Sequence, residues 1–328
     1  MGEQPDRNLG LELVRATEAA ALAASRWIGR GQKEAGDQAA VDGMRLMLST
    51  VRMNGVIVIG EGEKDNAPML FNGEEVGNKD GPLVDVAVDP VEGTNLLALG
   101  INNSIAIVGL APRGAMWNPG PAFYMDKLVV GPEAAGKVDL DAPVVDNLKA
   151  IARAKRIRIE EVTVVVLNRP RNAEKIAAVR ETGARIRLIS DGDVAPALMA
   201  ALPDIGIDAV MGIGGTPEGV ITACALRGLG GEIQGRLAPQ SDFERQRVEA
   251  AGMDVSQKLG VTNLVSGDDH FFAATAITPG DLLQGVRYTP TGAITHSLVT
   301  RSRSGTWRVV ESHHRWEKLM EISLVPYH

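Results

Sequence analysis

The string Val84-Asp85-Val86-Ala87-Val88-Asp89-Pro90-Val91-Glu92-Gly93-Thr94-Asn95 constrains this chain more than any other. It begins with apolar, β-branched residues suited to a buried strand. Asp89 stands where that strand is expected to stop, because Pro90 has no amide hydrogen to continue a ladder. Glu92 follows three residues later, and Gly93 and Thr94 open a short helical run, Thr94 to Leu99. Two carboxylates are thereby held close together at a strand tip, facing amides without partners. Such a place suits Mg²⁺ or Mn²⁺, which prefer oxygen ligands and are held by a few carboxylates plus substrate phosphate. The exposed amides and helix dipole favour a phosphate oxygen in the same spot. A bare Asp-x-x-Glu before a helix is also how an N-cap and its capping-box partner look.

A length of 328 residues allows a large core and more than one layered unit. The formal net charge of −7 argues against a nucleic-acid binder, which usually carries a basic face. The single cysteine, Cys224, leaves no intrachain disulfide framework and fits a reducing cytoplasm; its small apolar surroundings place it in the core. Residues 2–7 are polar and the next run is amphipathic, so no secretory signal is expected, nor is any apolar stretch long enough to span a bilayer. The expectation is a cytoplasmic protein with no nucleic-acid and no membrane partner.

Along the chain, Asn8 can cap a helix with Leu11, Val14, Ala19, Leu22 and Trp27 on its apolar side. A glycine-rich charged loop, Gly29 to Asp37, carries Lys33, and Asp37 is expected to cap a second helix, Gln38 to Met53. A short strand, Val56 to Ile59, then runs into Gly60-Glu61-Gly62-Glu63-Lys64-Asp65, three carboxylates with glycines between them, like the second half of a cation site. A dinucleotide reading of that turn fails, because Asp65 occupies the place of the third glycine.

Asn103 to Ala111 and Lys127 to Val130 read as strands, with Tyr124 between them. From Thr163 to Arg227 strand and helix alternate, a βαβ rhythm that implies an open α/β sheet. Ligands of such sheets collect at the carboxyl ends of the strands. Those ends carry Arg169-Pro170-Arg171-Asn172, suited to phosphate; Ser190-Asp191-Gly192-Asp193; and Gly212-Ile213-Gly214-Gly215-Thr216-Pro217-Glu218-Gly219, with proline in a helix first turn beside an acid. Each alone could be a solvated turn or a cap; three at one sheet edge favour a site. The tail is β-rich, and its His313-His314 pair fits a surface role better than a metal site. The boundary between an N-terminal α+β half, 1–145, and a C-terminal α/β half, 146–328, is expected near Val138 to Arg158.

At Asp89-Pro90-Val91-Glu92-Gly93-Thr94-Asn95 the chain resembles the lithium-sensitive sugar and inositol phosphatase superfamily, with its D-P-x-D/E-G-T-x-N signature. Val58 to Glu63, Phe123-Tyr124-Met125, Arg169-Pro170-Arg171, Ser190 to Asp193 and Gly212 to Gly219 narrow the likeness to the class II fructose-1,6-bisphosphatases of bacteria, in the family's order from about Asn8 to His314. The resemblance implies a layered α/β/α/β/α sandwich and metal-dependent hydrolysis of the 1-phosphate of fructose 1,6-bisphosphate, a gluconeogenic step, in a dimer or tetramer. It implies Mg²⁺ or Mn²⁺ on Asp37 and Glu61 for one ion and on Asp89, Glu92 and Glu218 for another. Thr94 matches the hydroxyl that activates water, with Lys33, Glu63 and Asp65 around it. Glu92, Gly93, Thr94, Tyr124, Arg169, Pro170, Arg171, Asp191, Gly192, Asp193 and Gly215 match substrate contacts. Two departures, Asn172 for a frequent histidine and Arg169 for a lysine, bear on the distal phosphate. A dual fructose/sedoheptulose bisphosphatase, an inositol monophosphatase and a non-catalytic sugar-phosphate sensor are the rival readings.

Overall fold

The computed structural model describes residues 8–62 and 69–322. Glu63 and Asp65 lie outside the described residues.

Two mixed sheets are stacked with helices outside and between them. The first has eight strands, in the order Arg287–Thr289, Gly292–Arg301, Phe271–Ala276, Ile105–Pro112, Leu83–Glu92, Asn54–Ile59 and Glu75–Val76, with Thr306–Arg315 also paired to Gly292–Arg301. The second has six, in the order Leu259–Gly260, Glu232–Leu237, Tyr124–Val130, Ala209–Gly215, Thr163–Leu167 and Arg185–Ile189. Parallel pairing occurs between Asn54–Ile59 and Leu83–Glu92, and where Thr163–Leu167 meets each of its two neighbours.

Alternation along the strands sorts side chains into separate cores. In the first sheet Val84, Val86, Val88, Ala106, Val108 and Leu110 face helices Gly10–Ala24 and Lys33–Leu48. Ala87, Ile105 and Ile107 point the other way, into a central layer shared with Met125, Val129 and Val165 of the second sheet. That layer is filled by helices Val194–Ala201 and Thr216–Leu229, and Cys224 is buried there, as expected. Every residue of Val194–Ala201 is buried, which is why its sequence shows no polar face. On the far side of the second sheet Leu128, Val130, Val164 and Val166 pack on Leu148, Ile151, Ile176 and Val179 of helices Val144–Lys155 and Ala173–Glu181. The layers therefore run α/β/α/β/α, as the resemblance implied.

Several local expectations need correction. The second helix spans Lys33–Leu48 rather than Gln38 to Met53, so Asp37 lies inside it and caps nothing; its N-cap is Gln32. Leu11 is 61% exposed and takes no part in the apolar face of the first helix. Trp27 ends a separate 3₁₀ turn, Ser25–Trp27. Each sheet draws on both ends of the chain: Tyr124–Val130 belongs to the second sheet, while the four strands after residue 270 join the first. No helix among the described residues is long and apolar enough to cross a membrane.

Candidate active site

The backbone from Val84 to Glu92 crosses Pro90 without ending the strand. Leu83–Glu92 stays paired to Ile105–Pro112 through a bulge: Asp89 lies opposite Ile107 and Glu92 opposite Ile105. A bulge tolerates proline because the residue there owes no hydrogen bond to the ladder. Asp89 is thus neither a strand end nor a helix cap; its Oδ1 accepts from Val91 N, 3.0 Å away. Gly93 then turns left-handed, φ 84°, and helix Thr94–Leu99 follows with no side-chain cap. Glu92 looks into the central layer, where its Oε1 accepts from Val194 N, at the start of helix Val194–Ala201, at 2.9 Å.

Glu218 reaches the same point from the first turn of Thr216–Leu229, behind Pro217. Carboxylate oxygens of Asp89, Glu92 and Glu218 all lie within 4.8 Å of one another. They line a cleft of about 380 Å³ together with Lys33, Asp37, Glu61, Gly93, Thr94 and Asp191. Of the expected acids and their surroundings, Asp37 comes from within its helix, Glu61 from the turn after Asn54–Ile59, and Lys33 from the exposed start of Lys33–Leu48.

The electrostatics are those of acids with too few cations. Burial, then the charges of Glu92, Glu61, Glu218 and Asp37, push the Asp89 carboxyl well above its ordinary range. Burial and Glu218 raise Glu92 to about 8, and burial and Asp37 raise Glu61 to about 7. Asp37 is also raised, chiefly by burial, with Lys33 pulling the other way. Glu218 is raised by burial although the Lys127 charge opposes it, and its Oε2 is buried without a protein hydrogen bond. Converging acids with an unpartnered inward oxygen fit a hard divalent cation, which takes all-oxygen ligands and reverses each of these shifts.

A second recess of about 300 Å³ adjoins the first and shares Glu92, Asp191, Pro217 and Glu218 with it. Its other walls include Tyr124, Arg169, Arg171, Gly192, Asp193 and Gly215. Pro170 does not line it; it starts the short 3₁₀ turn Pro170–Asn172 that places Arg169 and Arg171 on either side. The Arg171 guanidinium lies 4.6 Å from the centroid of the Tyr124 ring, and its Nε donates to Ile213 O at 3.1 Å. Asp191 is tied to the other half of the cleft, its Oδ2 accepting from Asn95 N at 3.2 Å and Asn95 Nδ2 at 2.9 Å. Gly192 has φ 72°, and a Cβ there would sit 3.7 Å from Gly93 Cα. Gly215 leaves no room for a Cβ, which would strike the Glu218 carboxylate.

Three residues build the site in ways that the sequence does not show. Lys127 Nζ is 2.6 Å from Asp193 Oδ2 and donates to Gly215 O at 3.0 Å. Its signal was a lysine opening an otherwise apolar strand, Lys127 to Val130. Asn172, weighed only as a departure near the distal phosphate, is buried; its Nδ2 donates to Leu167 O and Ile213 O, and its Oδ1 accepts from Ile213 N. It locks the arginine turn to the neighbouring strand. Asn95 was visible only as the last letter of the motif.

A family model described as bacterial fructose-1,6-bisphosphatase, glpX-encoded, matches residues 7–314. Fructose-1,6-bisphosphatase 1 class 2 of Escherichia coli (strain K12) is 42% identical over 321 residues, covering 94% of this chain and 95% of that protein. The class 2 fructose-1,6-bisphosphatases of Escherichia coli O6:H1 and Shigella flexneri match with the same identity and coverage.

Proposed function

The chain belongs to the bacterial glpX-type fructose-1,6-bisphosphatase family, and from that premise we propose that it hydrolyses the 1-phosphate of fructose 1,6-bisphosphate to fructose 6-phosphate and phosphate. The observation that carries this reading is the shared wall of the two recesses: one holds converging acids, the other Arg169 and Arg171. A bisphosphate needs both, one end where phosphate reacts and one where it is gripped.

Asp89, Glu92 and Glu218 would hold one Mg²⁺ or Mn²⁺, and Asp37 and Glu61 a second. A bound ion supplies neutralisation of phosphoryl oxygens and acidification of water. The chain's own residues do the rest. Phosphoryl transfer passes through a loose in-line transition state, so position and charge matter more than covalent chemistry. Thr94, first in its helix and half-buried at the cleft, orients the attacking water and relays its proton toward a neighbouring acid. Lys33 adds a positive charge at the mouth. Arg171, braced on Tyr124, holds the distal phosphate, and that remote binding energy aligns the reacting one. Asp191 and Gly192 border the sugar between them. The active form is proposed to be a homo-oligomer, dimer or tetramer, and the step gluconeogenic.

The test is phosphate release from fructose 1,6-bisphosphate, sedoheptulose 1,7-bisphosphate and inositol monophosphate, each with Mg²⁺, Mn²⁺ or chelator. Metal-dependent release from the first, with fructose 6-phosphate as product, is expected. Equal rates on the heptulose substrate would widen the specificity, and no release from any bisphosphate would overturn the reading.

A further inference from the structure

Glu244 lies on a surface helix, Asp242–Ala250, yet its side chain is buried. Ser241-Asp242-Phe243-Glu244 is a capping-box string, and half of the box forms: Ser241 Oγ accepts from Glu244 N at 3.1 Å. In an ordinary box the glutamate turns back to the amide of the cap residue. Here Oε2 accepts instead from Gln240 N, 2.8 Å away and one residue earlier. Oε1 leaves the helix altogether and accepts from both Phe123 N, at 2.9 Å, and Tyr124 N, at 3.2 Å. All these donors are neutral backbone amides, and among the described residues no cation pairs with the carboxylate.

Burying a carboxylate is costly unless its hydrogen bonds are well made, and a helix cap does not require it. What the second oxygen fixes is a turn at the substrate recess. Phe123 O accepts from Thr216 N at 2.9 Å, at the start of the helix that carries Glu218, and Tyr124 O accepts from Ala238 N at 2.8 Å. With their amides on Glu244 and their carbonyls on those two neighbours, the peptides of Phe123 and Tyr124 have no freedom to rotate. The Tyr124 ring is thereby held against Arg171.

We infer that Glu244 is a positioning residue for substrate recognition: its carboxylate fixes the Phe123–Tyr124 turn, and through the Tyr124 ring it sets the orientation of the Arg171 guanidinium. The inference rests on the proposed role of Arg171 at the distal phosphate.

The experiment measures KM, kcat and the metal-activation midpoint for E244A, E244Q, R171A and the two double variants. E244A is expected to raise KM about tenfold, the loss of one charge-assisted hydrogen bond. E244Q, which keeps one acceptor, should raise it less. In both, kcat should stay within about twofold and the metal midpoint should not move, since the acids are untouched. Because Glu244 acts through Arg171, adding R171A should raise KM by much less than the product of the single effects. Wild-type KM in E244A, or fully multiplicative effects, would overturn the inference. If E244A does not fold, E244Q carries the test: its smaller rise in KM should likewise combine with R171A to less than the product of the single effects. If R171A itself leaves KM unchanged, the reading of the distal phosphate fails, and the inference with it; if R171A raises KM and E244A does not, the inference alone fails.

Discussion

Lys127 and Asp193 form an ion pair beneath the cleft, Nζ 2.6 Å from Oδ2, with side chains only 3% and 7% exposed. Lys127 fits there because both its cross-strand neighbours, Gly212 and Gly235, lack side chains. Gly214 likewise cannot carry a Cβ, which would collide with the Asp193 carboxylate. Breaking a buried pair from one side strands the other charge and costs about 3–5 kcal/mol, whereas removing both charges costs far less. Lys127→Met should therefore lower the stability of the metal-free protein by about that amount, and Lys127→Met with Asp193→Asn should recover most of it. Denaturant midpoints of the three proteins decide; a double variant as unstable as the single one would show that packing, not charge, is at stake.

Much of this architecture was readable because short-range chemistry and long-range packing agree. Strand and helix alternate between Thr163 and Leu229 in sequence as in structure, since each element buries one face at its own period. Where expectation failed, a non-local contact overrode a local rule. Pro90 should end a strand, but the bulge between Asp89 and Glu92 lets the ladder resume at Ile105. Asp37 looks like a cap after a glycine loop, but the helix already begins at Lys33. Glu244 carries a capping-box signature that hides its contact with residues more than a hundred positions away. The return of Phe271–Ala276 to pair with Ile105–Pro112 leaves no trace in local pattern, because sheet order is set by which faces need covering. The candidate site was more legible than its supports: acids and arginines are unusual at strand ends, while Asn95 and Asn172 look like any turn residue.

The raised carboxyls give the chelated protein a defined pH dependence. Glu92, near 8, and Glu61, near 7, stand above the ordinary 4.5, so folding favours their protonated forms. Their contribution to stability is complete below about pH 4.5 and is lost as pH rises through 7 and 8. Melting temperature in chelator should accordingly fall between pH 6 and pH 8. Adding Mg²⁺ or Mn²⁺ should release protons and stabilise more at pH 8 than at pH 6; a ligand at a hundredfold excess over Kd adds about 2.7 kcal/mol. A chelated protein that becomes more stable over that range would contradict the arrangement of acids described above.

Substrate orientation is tested at Arg171. Its Nε is occupied by Ile213 O, and among the described residues its terminal nitrogens have no protein partner. If they grip the non-reacting phosphate, Arg171→Ala should raise KM by about one to two decades with kcat little changed, the worth of a charge-assisted contact. A fall in kcat alone would place Arg171 at the reacting phosphate and reverse the substrate.

Thr94 separates structure from chemistry most sharply. It opens helix Thr94–Leu99 after the left-handed Gly93, but no side-chain cap bond forms there, and its hydroxyl has no partner among the described residues. As a mere helix-start residue it would tolerate Ala and Ser alike. As the group that orients the attacking water it should distinguish them: Ser keeps the oxygen and should retain measurable turnover, whereas Ala should lose about two to four decades in kcat. Neither change should alter metal affinity or melting temperature much, because Asp89, Glu92 and Glu218 stay in place and no protein hydrogen bond is lost. The measurement is kcat at saturating metal for wild type, Thr94→Ser and Thr94→Ala, with a melting curve for each. Wild-type turnover in Thr94→Ala would remove the hydroxyl from the reaction and leave the proton to another of the groups that line the cleft.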